Sequence, residues 1–81
     1  MKIHLLYFAQ LRDIRGRDRE TIEIRDGMTV EQLQEWLLAQ SGCEPIAALP
    51  LLKAVNEEWA RGSEVLRGED RVAFVPPVAG G

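Results

Sequence analysis

The amino-acid sequence predicts an α+β domain in which a mixed sheet of four to five strands carries one main helix across one face. Residues 2–9 and 71–75 are rich in apolar and aromatic side chains, which is typical of strands. Residues 20–25 alternate polar and apolar side chains, as a half-buried strand does. Residues 30–40 instead have the apolar spacing of an amphipathic helix. At 81 residues, the chain is long enough for one such domain.

The first half of the chain predicts a hairpin with a wide loop. Strand 2–9 opens it, and strand 20–25 closes it through the buried side chains of Ile22 and Ile24. The connection over 10–18 contains many charges and a glycine, so we interpret it as a loop. The first and last strands are both apolar, and we expect them to lie together at the centre of the sheet.

The start of the helix is marked by a capping box. After the turn signal Asp26-Gly27, Thr29 can cap the helix while Gln32, at the third helical position, reaches back to it. We expect the helix over 30–40, with Gly42 ending it in a left-handed conformation.

The remaining predicted elements are short. In chain order they are a helical turn at most over 43–50, a third strand over 51–56, a short strand near Trp59, a helical turn over 63–66, a reverse turn over 68–70 and the last strand over 71–75. Proline cannot donate to a sheet ladder, so Pro76-Pro77 ends the last strand.

Alternation along the strands separates a covered face from an open face. The side chains that we expect under the helix are Ile3, Leu5, Tyr7, Ile22, Leu33, Leu37, Val55, Val72 and Phe74. Those that we expect on the open face are His4, Leu6, Phe8, Ala73 and Val75, joined by Trp59. An exposed apolar cluster of that size indicates a surface for a protein partner. We therefore expect Phe8, Trp59 and Val75 to form a contact surface.

Composition excludes several functional classes. The net charge is −3, from 10 basic and 13 acidic residues, and the arginines of 12–19 alternate with acidic side chains, so no basic surface for nucleic acid is indicated. The single cysteine, Cys43, permits no internal disulfide and no cysteine-rich zinc site. The sequence contains no nucleophile triad or phosphate-binding glycine loop, and we expect no bound cofactor. With no apolar run long enough to span a membrane, we expect a soluble cytoplasmic protein.

The tail Val-Pro-Pro-Val-Ala-Gly-Gly predicts a reactive end. We place the domain at 1–76 and an extended tail at 77–81. Pro76 and Pro77 stiffen the exit from the sheet, and five extended residues span at most roughly 17 Å. Gly80 and Gly81 lack a Cβ, so they can pass a narrow channel and leave the terminal carbonyl open to attack.

Three stretches carry a resemblance to a known family: FAQLR at 8–12, LKAVN at 52–56 and GEDRVAFVPPVAGG at 68–81. Over essentially its whole length, the sequence resembles the small, sulfur-carrying subunit of molybdopterin synthase, a ubiquitin-like β-grasp protein. The family often has a second aromatic residue just before the prolines, where this sequence has Val75.

The resemblance implies a role in molybdenum cofactor biosynthesis. A ubiquitin-activating-type adenylyltransferase would use ATP to adenylate Gly81, with Gly80 as its flexible neighbour, and the adenylate would become a thiocarboxylate. The thiocarboxylate would donate sulfur to cyclic pyranopterin monophosphate, forming the dithiolene of molybdopterin. The large synthase subunit would supply the catalytic residues in a heterotetramer.

The same resemblance extends the expected partner contacts. It makes Arg12 a candidate for a salt bridge to a partner, beside Phe8, Trp59 and Val75. The residues that would lead the chain end into the partner are Pro76, Pro77, Val78 and Ala79.

Three other functions stay open at this point. The first is the sulfur carrier of thiamine synthesis, against which the two prolines argue. The second is a ubiquitin-like modifier that is attached to lysines of other proteins. The third is a plain interaction module whose tail is inert.

Overall fold

The computed structural model describes residues 1–48 and 50–76. In chain order, its strands and α-helices are β1 (Lys2–Tyr7), α1 (Ala9–Arg15), β2 (Arg19–Glu23), α2 (Val30–Leu38), β3 (Leu52–Val55), β4 (Glu58–Trp59) and β5 (Arg71–Val75). A short 3₁₀ helix, Glu44–Ile46, lies between α2 and β3, where the sequence predicted at most one helical turn. The predicted α+β class is confirmed.

The five strands form one mixed sheet in the order β2-β1-β5-β3-β4. Strand β5 lies in the middle, parallel to β1 and antiparallel to β3. The hairpin predicted between the first two strands is present, with β1 antiparallel to β2. The first and last strands are therefore neighbours inside the sheet, as their apolar composition predicted.

The core lies on the sheet face that α2 covers. Every side chain expected there is buried except that of Ile22, which is half-buried in edge strand β2. The buried apolar side chains of the core are Ile3, Leu5, Tyr7, Leu11, Ile24, Val30, Leu33, Leu37, Cys43, Ile46, Leu51, Val55, Leu66, Val72 and Phe74. Ile24 remains in the core although β2 ends one residue before it.

Helix α2 begins where the capping box predicted. Gln32 N donates to Thr29 Oγ1 at 3.2 Å, and Thr29 N donates to Gln32 Oε1 at 3.0 Å. The helix ends at Leu38, two residues before the predicted end, and the side chain of Gln40 donates to Trp36 O at 2.9 Å. Gly42 does adopt a positive φ of 89°, but in the turn that follows the helix.

The prediction of a loop over 10–18 was wrong, because α1 occupies most of that segment. Leu11 is fully buried and Ile14 packs against the core, while the charged residues between them face solvent. Gly16 adopts a φ of 71° and donates its N–H to Arg12 O at 2.9 Å, which closes the helix. With so short an apolar stripe, the helix depends on tertiary packing more than on its own propensity.

The helical turn predicted over 63–66 was also wrong. Ser63 lies in a turn, the residues after it are not helical, and Val65 forms an isolated antiparallel bridge with Thr29. Val30 N donates to Glu64 O, and Leu66 N donates to Met28 O, both at 2.9 Å. The segment thus satisfies backbone groups at the start of α2, which a local helical turn would leave without those partners.

Candidate functional site: an apolar groove beside the end of the last strand

The open face of the sheet carries a groove of about 290 Å³. Its lining residues are Leu6, Phe8, Ala54, Glu57, Trp59, Arg71, Ala73 and Val75. The prediction that Leu6, Phe8, Ala73, Val75 and Trp59 share this face is confirmed. The side chain of His4 was expected on the same face, but it does not line the groove.

Strand register explains why this face is concave. Leu6 pairs with Ala73, Ala73 with Ala54, and Ala54 with Trp59, so one row of side chains crosses four strands. The row begins and ends with a large side chain and has two alanines between them. The small side chains form the floor and the large ones form the walls.

A second row lies nearer to the end of β5. Val75 pairs with Leu52 on one side, and Phe8 follows Tyr7, the partner of Phe74, on the other. Phe8 is 48% exposed, Leu52 is 50% exposed, and Trp59 is 72% exposed. Large apolar side chains gathered on one face in this way mark an interaction surface.

Two exposed aromatic side chains, Phe8 and Trp59, offer apolar area to a partner at this surface. Burying Phe8 or Trp59 completely against a partner would contribute about 1.5–3 kcal/mol each. Tryptophan is also enriched among the side chains that dominate interface energies. The groove is therefore suited to an apolar side chain of another protein.

The chain leaves the sheet beside this groove. Pro76 follows Val75 and is itself fully buried, so its ring anchors the end of β5 rather than lying open on the surface. The predicted tail residues Pro77, Val78, Ala79, Gly80 and Gly81 lie outside the described residues. A protein seated on Phe8, Leu52 and Val75 would contact the point from which those residues start.

Phe8 is positioned by the junction of β1 and α1. It precedes the helix in an extended conformation, and its carbonyl oxygen accepts N–H bonds from Leu11 at 3.1 Å and from Arg12 at 3.4 Å. Ala9, the first helical residue, has a φ of 50°, an uncommon conformation for a residue with a Cβ. Arg12 is exposed on α1 and does not line the groove.

A polar cluster holds α1 against the sheet directly below this junction. Tyr7 donates its hydroxyl to Glu20 Oε1 at 2.6 Å, and Arg15 Nη2 donates to the same oxygen at 3.0 Å. Arg17 Nη1 donates to Glu20 Oε2 at 3.1 Å. Because Tyr7 is adjacent to Phe8, this cluster also determines where the aromatic wall of the groove stands.

The cluster shifts the pKa values of its members. Burial raises the pKa of the Tyr7 hydroxyl above its usual value, and the hydrogen bond to Glu20 raises it further. Burial alone would also raise the pKa of Glu20, but the hydrogen bonds from Tyr7 and Arg15 outweigh it and lower that pKa. The carboxylate therefore stays charged in the folded protein.

Neither His4 nor Cys43 shows features of a reactive group. The ring of His4 lies 3.0 Å from Thr21 Oγ1 and 2.8 Å from Glu69 Oε1, so both nitrogens have structural partners. Cys43 is buried in the core, where burial raises the pKa of its thiol.

Across residues 1–48 and 50–76, no cluster of His, Cys, Asp or Glu is placed to hold a metal ion. Within the same ranges, no helix has the length and apolar character to cross a membrane.

Four residues of this face were not among the expected ones: Leu52, Ala54, Glu57 and Arg71. Applying alternation to β3 and to the first residue of β5 would have found Leu52, Ala54 and Arg71. Glu57 lies in the turn between β3 and β4, where no periodicity applies, so its place on the groove follows from the turn conformation alone.

A five-stranded mixed sheet in the order β2-β1-β5-β3-β4, with parallel central strands and α2 across one face, places the chain in the class of ubiquitin-like β-grasp proteins. Among solved structures, the Haloferax volcanii HVO 2177 protein matches with a TM-score of 0.84 and 25% identity, covering 100% of this chain and 87% of that one. A chain from the complex of subunits 1 and 2 of molybdopterin-converting factor from Helicobacter pylori matches with a TM-score of 0.71 and 21% identity, covering 100% of both chains.

Within that class, the chain belongs to the ThiS family, whose model matches residues 5–81. The molybdopterin synthase sulfur carrier subunit of Escherichia coli is 40% identical over 98% of this chain and 99% of its own length. The subunit of the same name from Chlamydomonas reinhardtii is 34% identical, with both chains covered completely. The family resemblance found in the sequence is confirmed.

Proposed function

We propose that this chain is the sulfur carrier subunit of molybdopterin synthase and acts in molybdenum cofactor biosynthesis. The observation that carries the proposal is the position of the apolar groove beside Val75 and Pro76, where β5 leads into the Gly-Gly tail. Two relatives with this name match the chain over nearly its whole length at 34% and 40% identity, which supports the same assignment.

The proposed chemistry takes place at the carboxylate of Gly81. A carboxylate is a poor electrophile, so it is first activated: it attacks the α-phosphorus of ATP, forms an acyl adenylate and releases pyrophosphate. Sulfur at the oxidation level of hydrosulfide then attacks the acyl carbon and displaces AMP with loss of a proton, leaving a thiocarboxylate in place of the carboxylate. The absence of a side chain at Gly80 and Gly81 leaves the acyl carbon accessible in both steps.

Sulfur delivery follows in the large subunit of the synthase. The thiocarboxylate donates its sulfur to cyclic pyranopterin monophosphate, and two such transfers form the dithiolene of molybdopterin. The likeness to the chain from the Helicobacter pylori complex of subunits 1 and 2 supports a large-subunit partner. In the proposed heterotetramer, two carriers serve a dimer of large subunits.

Docking and delivery use adjacent parts of the molecule. We infer that the large subunit and the activating enzyme bind the same groove, one after the other, through Phe8, Trp59 and Val75. From the end of β5, the five tail residues reach at most roughly 17 Å, so a partner on the groove has its reactive site within that distance. Sharing one surface also means that the carrier leaves the activating enzyme before it delivers its sulfur.

Intact-mass measurement tests the proposal. Incubation with a ubiquitin-activating-type adenylyltransferase, ATP and a sulfur source should replace one oxygen of the chain by sulfur, and tandem fragmentation should locate it at Gly81. Adding the large subunit and cyclic pyranopterin monophosphate should then return the chain to its original mass and produce molybdopterin.

Deletion of Gly81 is the control. The shortened chain should keep its fold and its affinity for the large subunit and should acquire no sulfur. Attachment to lysines of other proteins, with no sulfur transfer to the pyranopterin, would contradict the proposal and favour a protein modifier.

A further inference from the structure

The turn between β3 and β4 contains a residue in an unfavourable conformation. Asn56 and Glu57 both have positive φ angles, 51° and 72°, which are those of a two-residue hairpin turn. Asparagine tolerates the first position, but the second is best filled by glycine because a Cβ is disfavoured in the left-handed region. Glu57 therefore occupies a position where glycine would make the domain more stable.

The side chain of Asn56 is hydrogen-bonded within the domain, whereas that of Glu57 has no such bond among the described residues. Asn56 Nδ2 donates to Asp70 Oδ1 at 3.0 Å, and Asn56 Oδ1 accepts the N–H of Arg71 at 2.9 Å. The carboxylate of Glu57 makes no hydrogen bond or ion pair with residues 1–48 and 50–76, and it lies at the edge of the groove. A residue in a left-handed conformation whose carboxylate has no polar partner among the described residues points to a function of its side chain outside the domain.

Arg71 adds the opposite charge at the same groove. Its backbone N–H is bonded to Asn56, and its guanidinium makes no ion pair with the part of the chain that the structure describes. One carboxylate and one guanidinium thus border the apolar groove without neutralising each other. Each is available to a group of opposite charge on a docked protein.

We propose that Glu57 and Arg71 determine partner specificity at the groove. The docked surface inserts an apolar side chain between Leu6 and Trp59, places a basic side chain opposite Glu57 and places an acidic side chain opposite Arg71. This inference rests on the proposed function, which supplies the partner, the large subunit of molybdopterin synthase. Charges at the edge of an interface select partners and their orientation, and a mismatched partner meets like charges there.

The test compares Glu57→Gln with Glu58→Gln, which removes the same charge one residue further on. Glu58 lines a different concavity, beside Val55 and Arg67, so it is a matched control. Affinity for the large subunit should fall roughly three- to tenfold in Glu57→Gln at low salt, and the loss should shrink at high salt. Glu58→Gln should bind as the wild type does. Arg71→Gln and its control Arg67→Gln should behave in the same way.

Glu57→Gly distinguishes an effect of the side chain on binding from an effect on the stability of the domain. Removing the side chain from a left-handed position should raise the Tm by roughly 3–6 °C while weakening binding as much as Glu57→Gln does. A residue with a merely structural role would not show these opposite signs.

The outcomes distinguish this inference from the proposed function. Wild-type binding by Glu57→Gln and Arg71→Gln, in a chain that still binds the large subunit and delivers sulfur, overturns the charge-specificity proposal alone. A wild-type chain that neither binds the large subunit nor delivers sulfur overturns both.

Discussion

The two faces of the sheet are built from the same strands but differ in exposure: one is buried in the core, and the other is open to solvent. On the covered face, Leu5, Tyr7 and Phe74 are buried under α2 and the loops. On the open face, their chain neighbours Leu6 and Phe8, together with Trp59, border a groove. Because alternate residues of a strand point to opposite faces, one short segment contributes side chains both to the core and to the groove on which we propose that a partner docks. Stability and docking are therefore separable residue by residue.

The strongest expected contrast is between the two phenylalanines of the chain, Phe74 and Phe8. Phe74→Ala leaves a cavity in the core and should lower the free energy of unfolding by about 3–5 kcal/mol. Phe8→Ala removes a half-exposed ring and should lower it by about 1 kcal/mol. Urea unfolding of both variants checks this, and equal losses would show that the faces are not energetically distinct.

Affinity for a partner should instead depend on the side chains of the open face. Trp59→Ala removes the wall at the end of the four-strand row and should weaken affinity for the large subunit by about 1.5–3 kcal/mol, or roughly 10- to 150-fold. Titration calorimetry measures the affinity, and circular dichroism verifies that the variant is folded. Unchanged binding by both Trp59→Ala and Phe8→Ala would place the docking surface elsewhere.

A larger apolar residue in the floor of the groove tests whether binding depends on the depth of the groove and not only on its apolar character. Ala54 lies between Ala73 and Trp59, so Ala54→Leu adds apolar volume where a partner's side chain is expected. Affinity should fall by about 1–3 kcal/mol, because overpacking costs that much, while the free energy of unfolding should stay within about 0.5 kcal/mol of wild type. Tighter binding would indicate a flat contact instead of an inserted side chain.

The stability that the cluster of Tyr7, Glu20 and Arg15 gives to the domain should depend on pH. Since the pKa of Glu20 is lowered in the folded state, its contribution to stability is present above the carboxyl's usual pKa, about 4.3, and is lost as the pH falls through the folded value. The raised pKa of Tyr7 acts at the other end: its contribution is complete below about pH 10 and is lost as the pH rises further.

Tyr7→Phe sharpens this prediction. It removes the hydroxyl from Glu20 and should lower the free energy of unfolding by about 1–3 kcal/mol at neutral pH, as for a hydrogen bond to a charged group. The decline above pH 10 should then become smaller, leaving the part that comes from the buried Cys43 thiol, whose pKa is also raised, and the decline in acid should become smaller as well. Thermal unfolding of both proteins between pH 3 and pH 11 provides the measurement, and parallel pH profiles would contradict the cluster's role.

Local signals were sufficient for much of the fold. The capping box at Thr29 and Gln32, the alternation of β1 and β5 and the prolines after Val75 each act within a few residues. Helix α1 escaped detection because its apolar stripe consists of Leu11 and Ile14, too little to stand out among the charges. Segment 63–66 was misassigned because its partner, Thr29, lies far away in the sequence.

Some features of the candidate site could likewise be predicted from local sequence patterns, and others could not. Phe8, Trp59 and Val75 were expected on one face because side-chain alternation is a local property of a strand. The concavity itself depends on Ala73 and Ala54 lying side by side, which is a matter of register between β5 and β3. Register is set by non-local pairing, so it cannot be read from either strand separately.

By itself, the sequence determined the fold class, the division into a covered and an open face, the apolar residues of the open face and the Gly-Gly tail, because each depends on residue type and short-range spacing. The tertiary structure alone decided that four strands place two alanines between Leu6 and Trp59, and that Glu57 and Arg71 border the resulting groove. Those features arise where distant segments meet, since the shape of a surface depends on which side chains become neighbours across strands.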